Sequence, residues 1–205
     1  LRSSLVVSLG GRGVTNVALA RTHGHGGGRI VIAAGWAAAA FVAVYAVAGV
    51  SGAHLNPAVT LALALAGKFA WAGVPAYVAA QLLGAFLGAA LVWLAYRDHF
   101  AATEGPIAKR GVFCCVPAIR DLPANLLTEV IATFAFVLGV LRIAAPASSL
   151  GALDALPVAL LVLAIGLSLG GPTGYAINPA RDLGPRLAHA LLPIPGKDTS
   201  DWGYA

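Results

Sequence analysis

The sequence predicts an all-α membrane bundle made of two inverted repeats, each carrying a re-entrant half-helix. Three observations predict it. The chain is too apolar for water: of its 205 residues, 59% are hydrophobic and only 10% charged, where a soluble domain carries about 25% charged residues. Several apolar stretches are long enough to cross a bilayer, which takes about 20 helical residues. One sequence pattern also occurs twice, and each copy opens an apolar stretch too short to span.

The apolar stretches cover residues 1–20, 30–50, 74–96, 124–141 and 155–169. The first is weak, because Arg12 interrupts it. The fifth reaches spanning length once Gly170-Gly171 is included. Residues 97–122 form the longest connection; it is polar, holds Pro106 and Pro117, and ends before Pro123. It reads as a loop that forms an external cap, between a first repeat at about 1–96 and a second at about 123–205. The whole chain reads as a single channel domain. Gly84-Ala85-Phe86-Leu87-Gly88 in the third stretch is a small-residue pair one turn apart, which lets two helices cross closely.

The repeat aligns without gaps. Val50 to Leu61 matches Pro172 to Leu183, and the two asparagines, Asn56 and Asn178, lie 122 positions apart. Each copy contains Asn-Pro-Ala: Asn56-Pro57-Ala58 and Asn178-Pro179-Ala180. Asparagine suits the N-cap, and proline suits the first helical position, where its missing N–H costs nothing. Residues 57–66 and 179–192 therefore read as half-helices. Three stretches lie between the copies, so the second half-helix enters from the face opposite the first. Inverted repeats of this kind place a solute path at their interface near the midplane.

Non-helical backbone at membrane depth persists only where it is buried in protein or lines a water-filled cavity. Two such segments entering from opposite faces imply a pore. Gly52, Ala53 and His54, and Gly174, Tyr175 and Ala176, are placed to turn carbonyls inward as a ladder of acceptors. The half-helix N-termini meet near the centre, each carrying about half a positive charge. Asn56 and Asn178 add amide donors there. A neutral solute is accommodated at such a point, while a cation or a hopping proton meets a positive barrier.

These motifs, SGAHLNPAVT and GYAINPARDLGPR, resemble the major intrinsic protein (aquaporin) family, and within it the glycerol facilitator branch. The resemblance covers nearly the whole chain. It implies a right-handed bundle acting as a passive pore for glycerol and similar small neutral solutes with some water, in the cell membrane, as a homotetramer, with no cofactor and no catalysis. It implies a four-residue filter: Arg181 just after the second motif, Trp36 20 residues before Asn56, Gly166 12 before Asn178, and Tyr175 three before it. Arg181 offers fixed donors to neighbouring hydroxyls. Trp36 and Tyr175 would form an apolar corner, and Gly166 would leave room where water-selective members carry histidine. Asp182 and Arg186 also fit the glycerol branch. Glu129 matches a family glutamate that braces an Asn-Pro-Ala loop as scaffold.

Other residues admit two readings. Asp182 either complements a helix N-terminus or braces a neighbouring loop. His54 is either scaffold or gate, and His189 is unassigned. Cys114 and Cys115 are adjacent, form no CxxC pattern, and read as two small loop residues. The 13 basic residues are scattered, so nucleic acid is not an expected partner. An intramembrane enzyme would need a nucleophile and base at depth, and His54, Glu129 and Asp182 have no partner at useful spacing. A water-selective pore and a non-conducting structural protein stay as alternatives.

The family has six full spans, whereas this sequence shows no sixth and has a shortened first. The expectation is a longer protein of which this is part. In the implied orientation Arg21, Arg29, Arg97, Lys109, Arg110 and Arg120 face outside while Lys68 and Arg142 face inside, the reverse of the usual bias.

Overall fold

The structure, a computed structural model, describes residues 2–143 and 153–205. Leu1, at the start of the first apolar stretch, and residues 144–152 of the second repeat lie outside the described residues. Every regular element among the described residues is helical.

Three helices have spanning length and composition: α2 (Gly28–Ser51), α4 (Val74–Ala95, preceded by the 3-10 turn Trp71–Gly73) and α7 (Leu122–Ile143). They match the second, third and fourth apolar stretches to within a few residues. The first stretch forms α1 (Arg2–Ala18). The fifth forms α8 (Leu156–Ser168), a 13-residue apolar helix. The chain is thus a multi-pass membrane protein, and α7 turns a row of exposed apolar side chains outward, among them Leu127, Val130, Ile131 and Phe134.

The two half-helices are α3 (Pro57–Leu65) and α9 (Pro179–Leu191). Both begin as the Asn-Pro spacing predicts. Asn56 and Asn178 sit in extended N-cap conformations, and each side-chain oxygen accepts from the backbone N–H two residues on. The helix before each loop must also stop. α2 does so at Gly52, whose φ of 65° is left-handed and whose N–H returns to Ala48 O. Glycine reaches that conformation without the steric cost other residues bear.

Residues 97–122 are less loop-like than their polarity suggests. They contain two further helices, α5 (Arg97–Ala102) and α6 (Pro106–Phe113). Gly105, at φ 85°, and Pro106 set the start of α6. Its Val112 and Phe113 bury against a cluster holding Leu19, Ala85, Ala89, Val92 and Ala188. Burying those side chains overrides the composition, and the connection becomes a packed cap over α4 and α9.

α9 crosses α4 closely. A Cβ at Gly184 would stand 2.6 Å from Ala85 Cβ and 3.0 Å from Leu82 O. The crossing thus uses Ala85, inside the Gly84–Gly88 motif, and Gly184 opposite it. The segment after α9 folds back. Lys197 Nζ donates to His189 O, Ala190 O and Leu192 O at 2.6, 2.8 and 2.7 Å. An ammonium has three donors, so one lysine satisfies three carbonyls at the end of α9, where a cation is also favoured by the helix dipole.

Candidate functional site

The two re-entrant loops carry the same backbone distortion. Ala53 and Leu55 in the first, and Tyr175 and Ile177 in the second, have positive φ, between 40° and 54°. Each such non-glycine residue costs on the order of 1–3 kcal/mol and persists only where its surroundings over-determine it. Three sets of hydrogen bonds do so here. Asn56 Nδ2 donates to Ile177 O at 2.9 Å, and Asn178 Nδ2 donates to Leu55 O at 2.9 Å. Glu129 of α7 accepts from Ala176 N and Ile177 N, both at 3.0 Å, one on each carboxylate oxygen. The loops are therefore tied to each other and to a spanning helix.

Around these loops lies a cavity of about 240 Å³. Asn56, Asn178, Trp36, Tyr175 and Arg181 line it, as do Gly52, Ala53, His54 and Ala176, against an apolar wall that includes Val59, Phe136 and Val162. An asparagine amide has two N–H donors. One on each asparagine goes to the opposing loop, which leaves one per residue for a molecule in the cavity. Pro57, Ala58, Pro179 and Ala180 do not line it; they start the half-helices that aim Asn56 and Asn178.

Arg181, Trp36 and Tyr175 converge at one place. The Arg181 guanidinium carbon lies 4.7 Å from the Trp36 ring centroid and 5.9 Å from that of Tyr175, within cation–π reach. Trp36 Nε1 and the Tyr175 hydroxyl are buried without a protein partner. Two donors with no partner beside an arginine suit a hydroxylated guest.

Gly166 lies directly behind Tyr175 rather than on the cavity surface. A Cβ there would stand 3.1 Å from Tyr175 Cζ and 3.2 Å from Ala33 Cβ. The room Gly166 leaves is filled by Tyr175 rather than opened to a solute. Gly170 also has no space for a Cβ, with Tyr175 Cε1 2.9 Å away, and Gly10 is likewise closed by the Trp36 indole. Three glycines thus seat the two aromatics. Gly174 does not line the cavity either; its carbonyl accepts from Cys115 Sγ at 3.9 Å.

Cys115 is the residue that sequence reasoning missed. Its thiol meets Arg181 Nη1, and its N–H donates to Asp182 Oδ1 at 2.7 Å. Its carbonyl accepts from Arg186 Nη2 at 3.2 Å. Burial pushes the Cys115 thiol well above its ordinary pKa, so it meets Arg181 as a neutral acceptor. Its only sequence signal was its place in the long connection, because nothing local reports that the loop folds down onto the second half-helix.

Asp182 and Arg186 complete that anchor. Arg186 is fully buried. Its five N–H donors meet five acceptors: Asp182 Oδ1 and Oδ2 at 3.0 Å each, Ser200 O at 2.7 Å, Asp201 O at 2.9 Å and Cys115 O at 3.2 Å. A guanidinium has no further donor to satisfy. Asp182 sits in the first turn of α9 and also accepts from the Cys115 N–H of the long connection. His189 is buried with Nδ1 2.9 Å from Ser200 Oγ, beside the same segment and away from the cavity.

At the first loop, His54 is tied to its half-helix. Thr60 Oγ1 lies 3.1 Å from Asn56 O and receives Gln81 Nε2 at 3.0 Å. His54 Nδ1 is within hydrogen-bond distance of the same hydroxyl, at 3.1 Å. Phe69 and Tyr77 hold the ring, with centroids 4.7 and 4.9 Å away.

Comparison with known proteins agrees with this architecture. The family model for major intrinsic proteins matches residues 2–197. The chain is 55% identical over 205 residues to the probable glycerol uptake facilitator protein of Thermotoga maritima, covering all of this chain and 87% of that one. It is 56% identical over 178 residues to the glycerol uptake facilitator protein of Bacillus subtilis, covering 87% of this chain and 65% of that one. The fold matches the X-ray structure of the aquaglyceroporin from Plasmodium falciparum with a TM-score of 0.81 at 31% identity, over 91% of this chain and 76% of that one. A multi-pass bundle, paired half-helices sharing one cavity, and a family match over almost the entire sequence lead to one assignment: the chain belongs to the major intrinsic protein family.

Proposed function

We propose that this chain forms a passive channel for glycerol and similar small neutral solutes, with some water permeability. The observation that carries the reading is the shared cavity, in which two loop-locked asparagines and the Arg181–Trp36–Tyr175 group present donors beside apolar walls. The similarity to glycerol uptake facilitators supports the same solute class. No bond is made or broken in this reading.

A polyol suits the site physically. Arg181 and the free amide N–H groups of Asn56 and Asn178 donate to hydroxyl oxygens, and Trp36 and Tyr175 face the carbon backbone. Carbonyls of Gly52, Ala53, His54 and Ala176 serve as acceptors for hydroxyl protons. The positive half-helix ends disfavour cations. Glu129 and Asp182 act as scaffold, holding the loops in their strained conformation. Residues 1–205 work as one channel domain, and the assembly is a homotetramer in the lipid of the cell membrane.

The test is a stopped-flow experiment with the full-length protein in liposomes. Glycerol entry should be much faster than in empty liposomes, while sucrose stays excluded. Glycerol entry at the empty-liposome rate would overturn the reading, and fast water flux with glycerol excluded would select a water-specific pore. Trp36→Ala should loosen solute selection.

A further inference from the structure

A second cavity, of about 430 Å³, lies apart from the pore, where α1 and α4 end beside the long connection. Arg12, Arg21, His23 and His99 line it together with Asn16 and Tyr96, and no carboxylate does. Four other basic residues of the capping layer are engaged. Lys109 donates to Pro195 O, Arg110 pairs with Asp198, Arg120 pairs with Asp201 and Arg29 donates to Gly170 O. Arg12 and Arg21 have neither an ion pair nor a hydrogen-bond partner among the described residues.

The pocket is built rather than incidental. Ala20 N donates to Thr103 Oγ1 at 2.9 Å, and His99 Nδ1 donates to Ala20 O at 3.1 Å. These bonds pin the 19–27 connection against α5. Arg21 itself holds a left-handed backbone, at φ 61°. Arg12 lies six residues before the end of α1, about 9 Å below it at 1.5 Å per residue. An arginine at that depth reaches upward to the interface, and here it lines the same cavity as Arg21.

We propose that this pocket binds the phosphodiester headgroup of an anionic phospholipid. A cationic hollow at the ends of two packed helices, α1 and α4, is suited to that chemistry. The apolar surface next to it favours a lipid over free phosphate. Leu91, one turn below Ala95 on α4, and Leu9, one turn below Arg12 on α1, are exposed. Acyl chains attached to a phosphate in the pocket would lie along them.

The full-length protein is reconstituted in nanodiscs of mixed phosphatidylglycerol and phosphatidylcholine, and the lipid retained on extraction is counted by native mass spectrometry. Phosphatidylglycerol should be retained over phosphatidylcholine. Arg12→Gln and Arg21→Gln should each lower that preference about fivefold, while Arg12→Lys preserves most of it. Arg21→Gln alters an exposed connection outside the pore, so glycerol flux serves as its folding control. Equal retention of the two lipids, or an unchanged preference in Arg21→Gln with flux intact, overturns the proposal. Displacement of phosphatidylglycerol by millimolar inorganic phosphate overturns the assignment to a lipid.

Discussion

Asn56 and Asn178 lock each other's loops: each amide donates, at 2.9 Å, to the carbonyl of the residue before the other asparagine. Each also caps its own half-helix through Oδ1. One side chain thus fixes the half-helix it starts and the loop it faces. Asn56→Asp separates the two roles. Aspartate is an equally good N-cap, but it has no donor for Ile177 O and adds a negative charge at the centre. The unpaired buried carbonyl costs about 1–3 kcal/mol. The variant should lower the melting temperature in detergent, and the added charge should admit protons, read as dissipation of a pH gradient in liposomes. Unchanged melting together with an intact gradient would sink the reciprocal-lock account.

Asp182 and Arg186 predict a larger effect. Arg186 is fully buried, and Asp182 is the one anion among its five acceptors. Removing one partner of a buried pair costs about 3–5 kcal/mol, because the other charge is left uncompensated. Asp182→Asn should therefore destabilise the fold by that order, seen as loss of yield and of melting temperature. Asp182→Leu/Arg186→Met removes both charges and should recover part of the loss. Recovery stays incomplete, since Cys115 N–H and the carbonyls of Ser200, Asp201 and Cys115 lose their partners. A double variant no better than Asp182→Asn would show that the charge pair is not the main term.

The half-helices were legible in the sequence because their determinants are local. Asn caps, Pro starts and a left-handed glycine break all lie within a few positions of one another. The span positions were legible because hydropathy is additive along a helix. What sequence could not give were contacts made across the fold. Cys115 meets Arg181 from 66 positions away, and neither residue's neighbours encode the other. Helices α5 and α6 form inside a polar segment because Val112 and Phe113 find α4 and α9. The resemblance implies that Gly166 leaves room in the filter, yet it does not tell which of two adjacent side chains occupies the room a glycine leaves.

That room yields a graded test. A Cβ at position 166 falls 3.1 Å from the Tyr175 ring and 3.2 Å from Ala33, closer than ordinary van der Waals contact. Gly166→Ala should push Tyr175 toward the cavity and lower glycerol flux several-fold, with water flux reduced less. Gly166→His should lower it further. Tyr175→Leu introduced beside Gly166→Ala should restore part of the glycerol rate by removing the ring that was pushed inward. Glycerol and water rates from the same liposome preparation check this. A glycerol-to-water ratio unchanged in Gly166→Ala would mean that Tyr175 does not set the width.

The cysteines predict how pH acts on the capping loop. Burial pushes the Cys114 thiol to about 12 and the Cys115 thiol higher still, against about 8.5 for an exposed thiol. Alkylation proceeds through the thiolate. Both thiols should resist N-ethylmaleimide at pH 8 in the folded protein and react once it is unfolded in detergent. The sign of the stability effect follows from the same shift. An acid whose folded pKa is raised binds its proton more tightly when folded, so its contribution is complete below about pH 8.5 and declines above it. Melting temperature should fall as pH rises past that point, and Cys114→Ala/Cys115→Ala should flatten the slope. Rapid alkylation of folded protein at pH 8 would show Cys115 to be solvated, and its contact with Arg181 would then not be the neutral thiol contact described above.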